Sequence, residues 1–202
     1  MTPLISNFYS LGFLATHIQL SVYTLQQTYE NDKFLNKIEY SDNFLNQTTF
    51  SNSLKGIIAN YSIIQFCSFL DEYKNFNSKY IGQKYFERIK KVRRKNHYGI
   101  QRINQWSDLY NFRNQMVAHN FDIKNESVFL KKELINYKIP DTLDEKILFY
   151  KIILKICQNI SSEFQELNDE IDLNFTITKK IKILKNLDLD LDKEIDLIEK
   201  NM

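Results

Sequence analysis

The chain has 202 residues, 43% of them hydrophobic and 14% aromatic, with only 4 Gly and 2 Pro. Such a composition excludes a disordered polymer and leaves few breakers for the many turns of an all-β fold, so long helices are expected. The net charge of +2 names no partner, and two cysteines make no disulfide framework.

A chain of this length folds as one domain, with or without an appendage, and buries enough surface to need no covalent staple. Cys67 and Cys157 each sit inside an apolar periodic run and read as small buried hydrophobes in a reducing compartment, not as metal ligands. No basic region precedes an apolar run at the N-terminus, and no run is long and apolar enough to span a bilayer, so a cytoplasmic chain without membrane contact is expected.

The first predicted helix covers 3–28. Leu4, Phe8, Leu11, Ala15, Ile18, Val22 and Leu25 step by four and three and form one stripe; His17 lies off it, at the surface or its boundary. Residues 29–52 are rich in Asn, Asp, Ser and Thr and read as a connection holding one short helix. A second helix is expected to start with Ser51 or Ser53 as its N-cap and to end at Asp71–Lys74. Leu54, Ile57, Ile58, Tyr61, Ile64 and Cys67 or Ser68 mark one face, widened by Ile63, Phe66 and Leu70. A helix so apolar around its circumference belongs at the centre of a bundle.

The third predicted helix runs from about Ser78 to Asn96, with Ile81, Tyr85, Ile89 and Val92 facing inward and Gly99 as its breaker. Lys84 to Lys95 holds seven basic residues against Glu87 alone. Such a run is either a solvated face suited to the negative pole of the helix or a phosphate-contacting patch. A fourth helix is expected from Asn104 or Ser107 to His119. Residues 120–140 are ambiguous, and the stretch from Val128 to Ile135 fits a short helix or a strand. The fifth helix has the clearest start: Pro140, then Thr142-Leu-Asp-Glu145 as a capping box. Phe149, Ile152, Ile153, Ile156, Ile160, Phe164 and Leu167 give it a long apolar face. After Asp172, two short amphipathic segments at 178–187 and 190–200 form a C-terminal extension; from Glu163 to the end acids outnumber bases. The expected fold is therefore all-α: an antiparallel bundle of four to five main helices over 1–172, with the helical extension over 173–202.

Asp188, Asp190, Asp192 and Glu199 imitate a calcium loop, but Lys193 stands where the turn needs Gly, and no exiting helix is expected after it, so calcium binding is not expected. The three histidines lack ligands at zinc spacing, and no Ser sits in a glycine-flanked elbow. No metal and no cofactor is expected.

The remaining polar set is Arg113-Asn114-x-x-x-Ala118-His119, on the helix held by Tyr110, Phe112, Met116 and Val117. Its chemistry suits RNA cleavage without a metal. A His exchanges the proton of a ribose 2′-OH or of a leaving 5′ oxygen near neutral pH. An Arg holds the phosphate and offsets its growing charge, and an Asn orients either. On a regular helix Arg113 and His119 stand about 9 Å apart along the axis and about 120° apart in direction. They border a cleft rather than form a closed pair. A second imidazole would come from a second copy, so a catalytic reading predicts a homodimer with a composite site. In a purely structural role, Arg113 would pair with Asp108 or Asp122, and His119 would stabilise the helix end.

Arg113-Asn114-Gln-Met-Val-Ala-His119, at the end of a helix in an all-α chain, resembles the R-x(4–6)-H signature of the HEPN superfamily (higher eukaryotes and prokaryotes nucleotide-binding). The resemblance covers about residues 1–170 and includes the polar residue after the Arg and the long helix from Thr142. It implies a homodimeric, metal-independent endoribonuclease of toxin–antitoxin, abortive-infection or other antiviral defence systems, with an antitoxin or other defence protein as further partner. Arg113 and His119 would be catalytic and Asn114 would support them. Lys90, Lys91, Arg93, Arg94 and Lys95 would guide the RNA. Some toxins of this superfamily carry a modifiable Tyr two positions after the His; this chain has Phe121 there. Other members have lost catalysis and act as nucleotide-binding, RNA-binding or protein-interaction modules, and that alternative stays open.

Overall fold

In the computed structural model, which describes residues 2–37, 49–118 and 137–167, every regular element is helical. Helix α1 spans Pro3–Glu30, α2 Asp32–Leu35, α3 Phe50–Asn75, α4 Ser78–Ile81, α5 Phe86–Asn104, α6 Leu109–Ala118 and α7 Leu143–Glu163, with one 3₁₀ turn at Gln83–Tyr85. The described residues all belong to one unit, 1–168. The expected extension over 173–202, the calcium-like acids and the ambiguous stretch from Val128 to Ile135 lie outside the described residues.

The long helices run antiparallel. Asn7 of α1 meets Glu72 of α3, His17 meets Tyr61, and Tyr29 carries Lys55 over its ring. Along α5 and α7, Arg88 meets Glu163, Asn96 meets Asn159, and Trp106 just beyond α5 meets Glu145. Helix α1 also packs on α7. The core centres on Phe66 of α3, stacked on Phe149 of α7 at 4.0 Å between centroids, with Trp106 at 5.3 Å on the same ring. Phe66 and Phe149 are fully buried, and truncating such a ring to Ala costs about 3–5 kcal/mol.

The α1 stripe is buried at Leu4, Leu11, Ile18, Val22 and Leu25. His17 sits at the boundary, its ring against Phe13 and its Nδ1 2.8 Å from the Tyr61 hydroxyl. The short helix expected in the polar connection is α2. For α3 the N-cap is Thr49 rather than Ser51 or Ser53; its Oγ1 accepts from Asn52 N, and Ser51 is instead buried against Asp32. The buried face of α3 is Ile58, Ser62, Ile63, Phe66, Cys67, Phe69, Leu70 and Tyr73; Ile58 and Cys67 of the expected face are among them, while Ile57 and Tyr61 are exposed. An all-round apolar helix gives the pattern little power to choose its face.

The third helix differs most from expectation. Gly82 takes φ 130°, ends α4 and turns the chain into the 3₁₀ turn, so the continuous helix starts at Phe86. Gly99 does not break it. A Cβ there would lie 3.0 Å from Ile152 Cγ2, so Gly99 permits the close approach of α5 to α7. Before α7 the capping box forms as expected: Glu145 N donates to Thr142 Oγ1 at 3.2 Å, and Thr142 N donates to Glu145 Oε2 at 3.2 Å.

Candidate functional site

Helix α6 carries Arg113 and Asn114, and α3 sets where they stand. Cys67 Sγ contacts Leu109 O, and Asp71 Oδ2 accepts from Arg113 Nη1 at 2.9 Å; both contacts span 42 residues. The repeated offset means that α3 and α6 run parallel here, in register over one turn. The start of α6 is tied down by buried Leu109 and by Asp108, whose N donates to Lys138 O and whose carboxylate accepts from Lys138 N. Phe112 packs edge-on against Tyr137, and the Tyr137 hydroxyl donates to Gln115.

Three side chains converge on the Asp71 carboxylate. Tyr110 donates its hydroxyl to Asp71 Oδ1 at 2.9 Å, and Lys74 donates both to that oxygen, at 3.0 Å, and to the Tyr110 oxygen, at 2.9 Å. Arg113 turns Nε and Nη2 to Asn114 Oδ1, at 3.3 and 3.2 Å, and holds its guanidinium 5.0 Å from the Tyr110 ring centroid. Desolvation alone would raise the Asp71 carboxyl. The bonds from Lys74, Tyr110 and Arg113 outweigh it and hold Asp71 below the usual carboxylate range. Burial pushes the Tyr110 hydroxyl up. For Lys74, the bond to Tyr110 first, and then that to Asp71, favour the charged form.

Arg113 and Asn114 are thus brought together, while His119 lies outside the described residues. So do the side chains of Met116 and Val117. The acid that pairs with Arg113 is Asp71, not Asp108, which is engaged with Lys138; Asp122 lies outside the described residues. Two Arg113 N–H groups, one on Nη1 and one on Nη2, have no bond among the described residues, and the side chain is 27% exposed. Beside Asp71, a recess of about 450 Å³ opens between α1 and α3, with Tyr9 and Phe13 on one wall and Ser68, Glu72 and Asn75 on the other.

The five basic residues expected to guide RNA are all exposed on α5, but they are not equivalent. Arg93 donates to Phe76 O at 2.9 Å, closing the C-terminal end of α3, and lies over the Tyr73 ring. Lys91 pairs with Glu163 at 2.7 Å. Arg88, on the same flank, binds Glu166 at 2.6 Å and lies over Phe164. Lys91 above all holds Glu163 below the usual carboxylate range, with Lys95 adding through space. Lys90 and Arg94 make no ion pair among the described residues.

Sequence reasoning missed Asp71, Lys74 and the polar role of Tyr110. Asp71 marked the return of polarity at the end of α3, but nothing local ties it to a residue 42 positions on. Desolvation pushes both thiols up, Cys67 to about 11 and Cys157 to about 12, so neither is an activated nucleophile. Among the described residues, no three His, Cys, Asp or Glu side chains gather as a metal site, and no helix is long and apolar enough to cross a membrane. Compared with known proteins, the chain matches no family model, no curated sequence and no solved structure.

Proposed function

We propose that this all-α protein is a metal-independent endoribonuclease of the HEPN type, with a site completed across a homodimer, acting in antiviral defence or toxin–antitoxin growth arrest. The observation that carries the reading is the Arg113 guanidinium, steered by Asp71 and Asn114 and partly exposed, with N–H groups that no other described residue binds and that can take a phosphate. A guanidinium fixed by two partners loses less freedom when it takes a third, so its hydrogen bonds to a phosphoryl oxygen come at low entropic cost.

In the proposed reaction, the ribose 2′ oxygen gives its proton to one imidazole and bonds to phosphorus. The bond from phosphorus to the 5′ oxygen breaks, and a second acid protonates that oxygen. Products are a 2′,3′-cyclic phosphate and a free 5′-hydroxyl. Arg113 offsets charge on the non-bridging oxygens, and His119 from each copy supplies the acid and the base. The exposed residues of α5, Lys90, Lys91, Arg93, Arg94 and Lys95, guide the strand by charge. An antitoxin or other defence protein would be the further partner.

The test is incubation of RNA in EDTA with wild type, Arg113→Ala and His119→Ala. Wild type is expected to cleave, and both variants to lose at least a hundredfold in rate. Cleavage that survives either substitution overturns the proposal. So does a strict monomer by light scattering under assay conditions.

One observation favours a second reading. The Asp71 carboxylate already offsets the Arg113 charge, as in an ion pair kept for structure. On that reading the protein is a non-catalytic nucleotide- or RNA-binding or protein-interaction module. Wild-type protein that retains RNA without cutting it would select this reading.

A further inference from the structure

A groove of about 640 Å³ lies between α5 and the chain that joins α3 to α4. Its volume falls in the range of small-molecule sites. One side carries Lys90, Arg93, Arg94 and His97; the floor is Tyr73, Ile89 and Phe86. Among the described residues no carboxylate lines it. That sets it apart from the recess on the other flank of α5, of about 490 Å³, where Glu87 and Glu163 sit among Arg88, Lys91 and Lys95. Lys90 and Arg94 form the ridge between the two. On one flank the cations are matched by acids of the same chain; on the other they face a cavity with an apolar floor.

The groove is also partly set in advance. Arg93 is fixed by its bond to Phe76 O and by the Tyr73 ring beneath it, 5.5 Å from the guanidinium. The Tyr73 hydroxyl accepts from Asn96 Nδ2 at 3.1 Å, which holds the ring. Phe86 is 40% exposed, and the Lys90 ammonium stands 5.4 Å from its centroid. An aromatic face therefore lies next to positive charge that no carboxylate among the described residues pairs.

From this juxtaposition we propose that the groove binds a nucleoside phosphate. The phosphate meets Lys90, Arg94 and His97, and the base lies on Phe86 and the apolar floor. Flat rings gain from stacking on an aromatic side chain whatever their sequence, and phosphate gains from clustered cations that hold no acid. Asn77 and Ser78 at the rim supply polar groups for the edge of the base. The nucleoside phosphate is either a free mononucleotide or one unit of an RNA strand. The inference extends the reading of α5 as an RNA-contact helix and is independent of cleavage at Arg113 and His119.

The experiment is calorimetric titration of the full chain with adenosine monophosphate, inorganic phosphate and 2′-O-methyl hexaadenylate, which has no 2′-OH to react. Wild type is expected to bind the nucleotide more tightly than phosphate. Lys90→Ala/Arg94→Ala should weaken binding about tenfold or more, with the melting temperature unchanged. Phe86→Ala should weaken nucleotide but not phosphate. Binding of the hexamer alone, lost in the same variants, identifies the ligand as part of a strand; binding of the monomer identifies a free nucleotide. Failure of wild type to bind either, or binding that the Lys90/Arg94 double variant leaves unaltered, overturns the proposal. Phosphate bound as tightly as nucleotide overturns it too. Loss of cleavage in Arg113→Ala and loss of adenosine monophosphate binding in Lys90→Ala/Arg94→Ala are read in separate assays, so failure of one site is distinguishable from failure of the other.

Discussion

Arg113 on α6 and Asp71 on α3 are joined by a bond of 2.9 Å across 42 residues of sequence, and the same carboxylate accepts from Tyr110 and Lys74. One acid therefore anchors the candidate Arg and joins it to the helix that runs through the core. Whatever Arg113 does, it does from a position that Asp71 defines.

Asp71→Asn tests that link. The carboxyl lies below its ordinary value of 3.8 in the folded chain, because its three donors outweigh desolvation. A depressed carboxylate contributes stability above its unfolded value, and loses it as pH falls through the folded one. Its side chain is 46% exposed, so solvent screening limits the contribution to less than about 1 kcal/mol. Thermal unfolding of wild type and Asp71→Asn should differ slightly at pH 7 and converge in acid, below the ordinary value. A gap that persists there would mean that shape, not charge, is what Asp71 supplies. If Arg113 is catalytic, the same variant should slow RNA cleavage by freeing the guanidinium.

The helix glycines make a second comparison. Gly12 and Gly56 lie in α1 and α3, and a methyl group added at either would meet nothing within 4 Å, whereas one added at Gly99 would meet Ile152 at 3.0 Å. Gly→Ala at 12 and at 56 should each stabilise by about 0.5–1 kcal/mol through helix propensity. Gly99→Ala should cost about 1 kcal/mol net, as crowding against α7 exceeds the same gain. Denaturant midpoints of the three variants check the order; a stabilised Gly99→Ala would show that Ile152 yields without cost.

Legibility in the sequence follows the range of the interaction. The capping box at Thr142 and Glu145 needs four consecutive residues and forms as expected, and the α1 stripe needs only periodicity. Gly99, expected as the breaker, lies inside α5 because the decisive fact is tertiary: Ile152, which it meets, lies on another helix. The face of α3 is ambiguous because the exposed Ile57 is as apolar as the buried Ile58 and Ile63. Arg113 and Asn114 stand out by residue type, but Asp71, their anchor, has no local mark that distinguishes it from other acids at helix ends.

The start of α7 offers a test of a local motif that has acquired a long-range partner. Glu145 accepts from Asp141 N and Thr142 N through Oε2 and from Trp106 Nε1 through Oε1, at 3.4 Å. Thr142→Ala should cost about 1 kcal/mol, the usual worth of an N-cap. Glu145→Gln keeps the length and the acceptor but removes the charge at the positive end of the helix, and should cost less than about 1 kcal/mol. Because the two residues bond each other, the double variant should lose less than the sum. Strict additivity in chemical denaturation would separate the Trp106 contact from the cap.

Lys146, one position further, is the most buried charge-bearing residue described, at 3% exposure. Its Nζ turns back to donate to Pro140 O at 2.7 Å and Asp141 O at 2.6 Å, closing the loop that enters α7. Lys146→Met preserves the stem and leaves both carbonyls without that donor, so a loss of about 1–3 kcal/mol is expected. The pH dependence distinguishes lost bonds from relief of a buried charge. Desolvation lowers the Lys146 ammonium from its ordinary 10.5, against the pull of Asp141 and Glu145. Between the folded and unfolded values the unfolded chain holds the proton and the folded one does not, so stability rises with pH there. Wild type should therefore gain on Lys146→Met as pH climbs toward 10.5, since a neutral amine still has two N–H groups for two carbonyls. Unfolding free energies of the two proteins at pH 7 and pH 10 give the difference directly. A gap that narrows with pH would mean that the ammonium charge itself holds the loop.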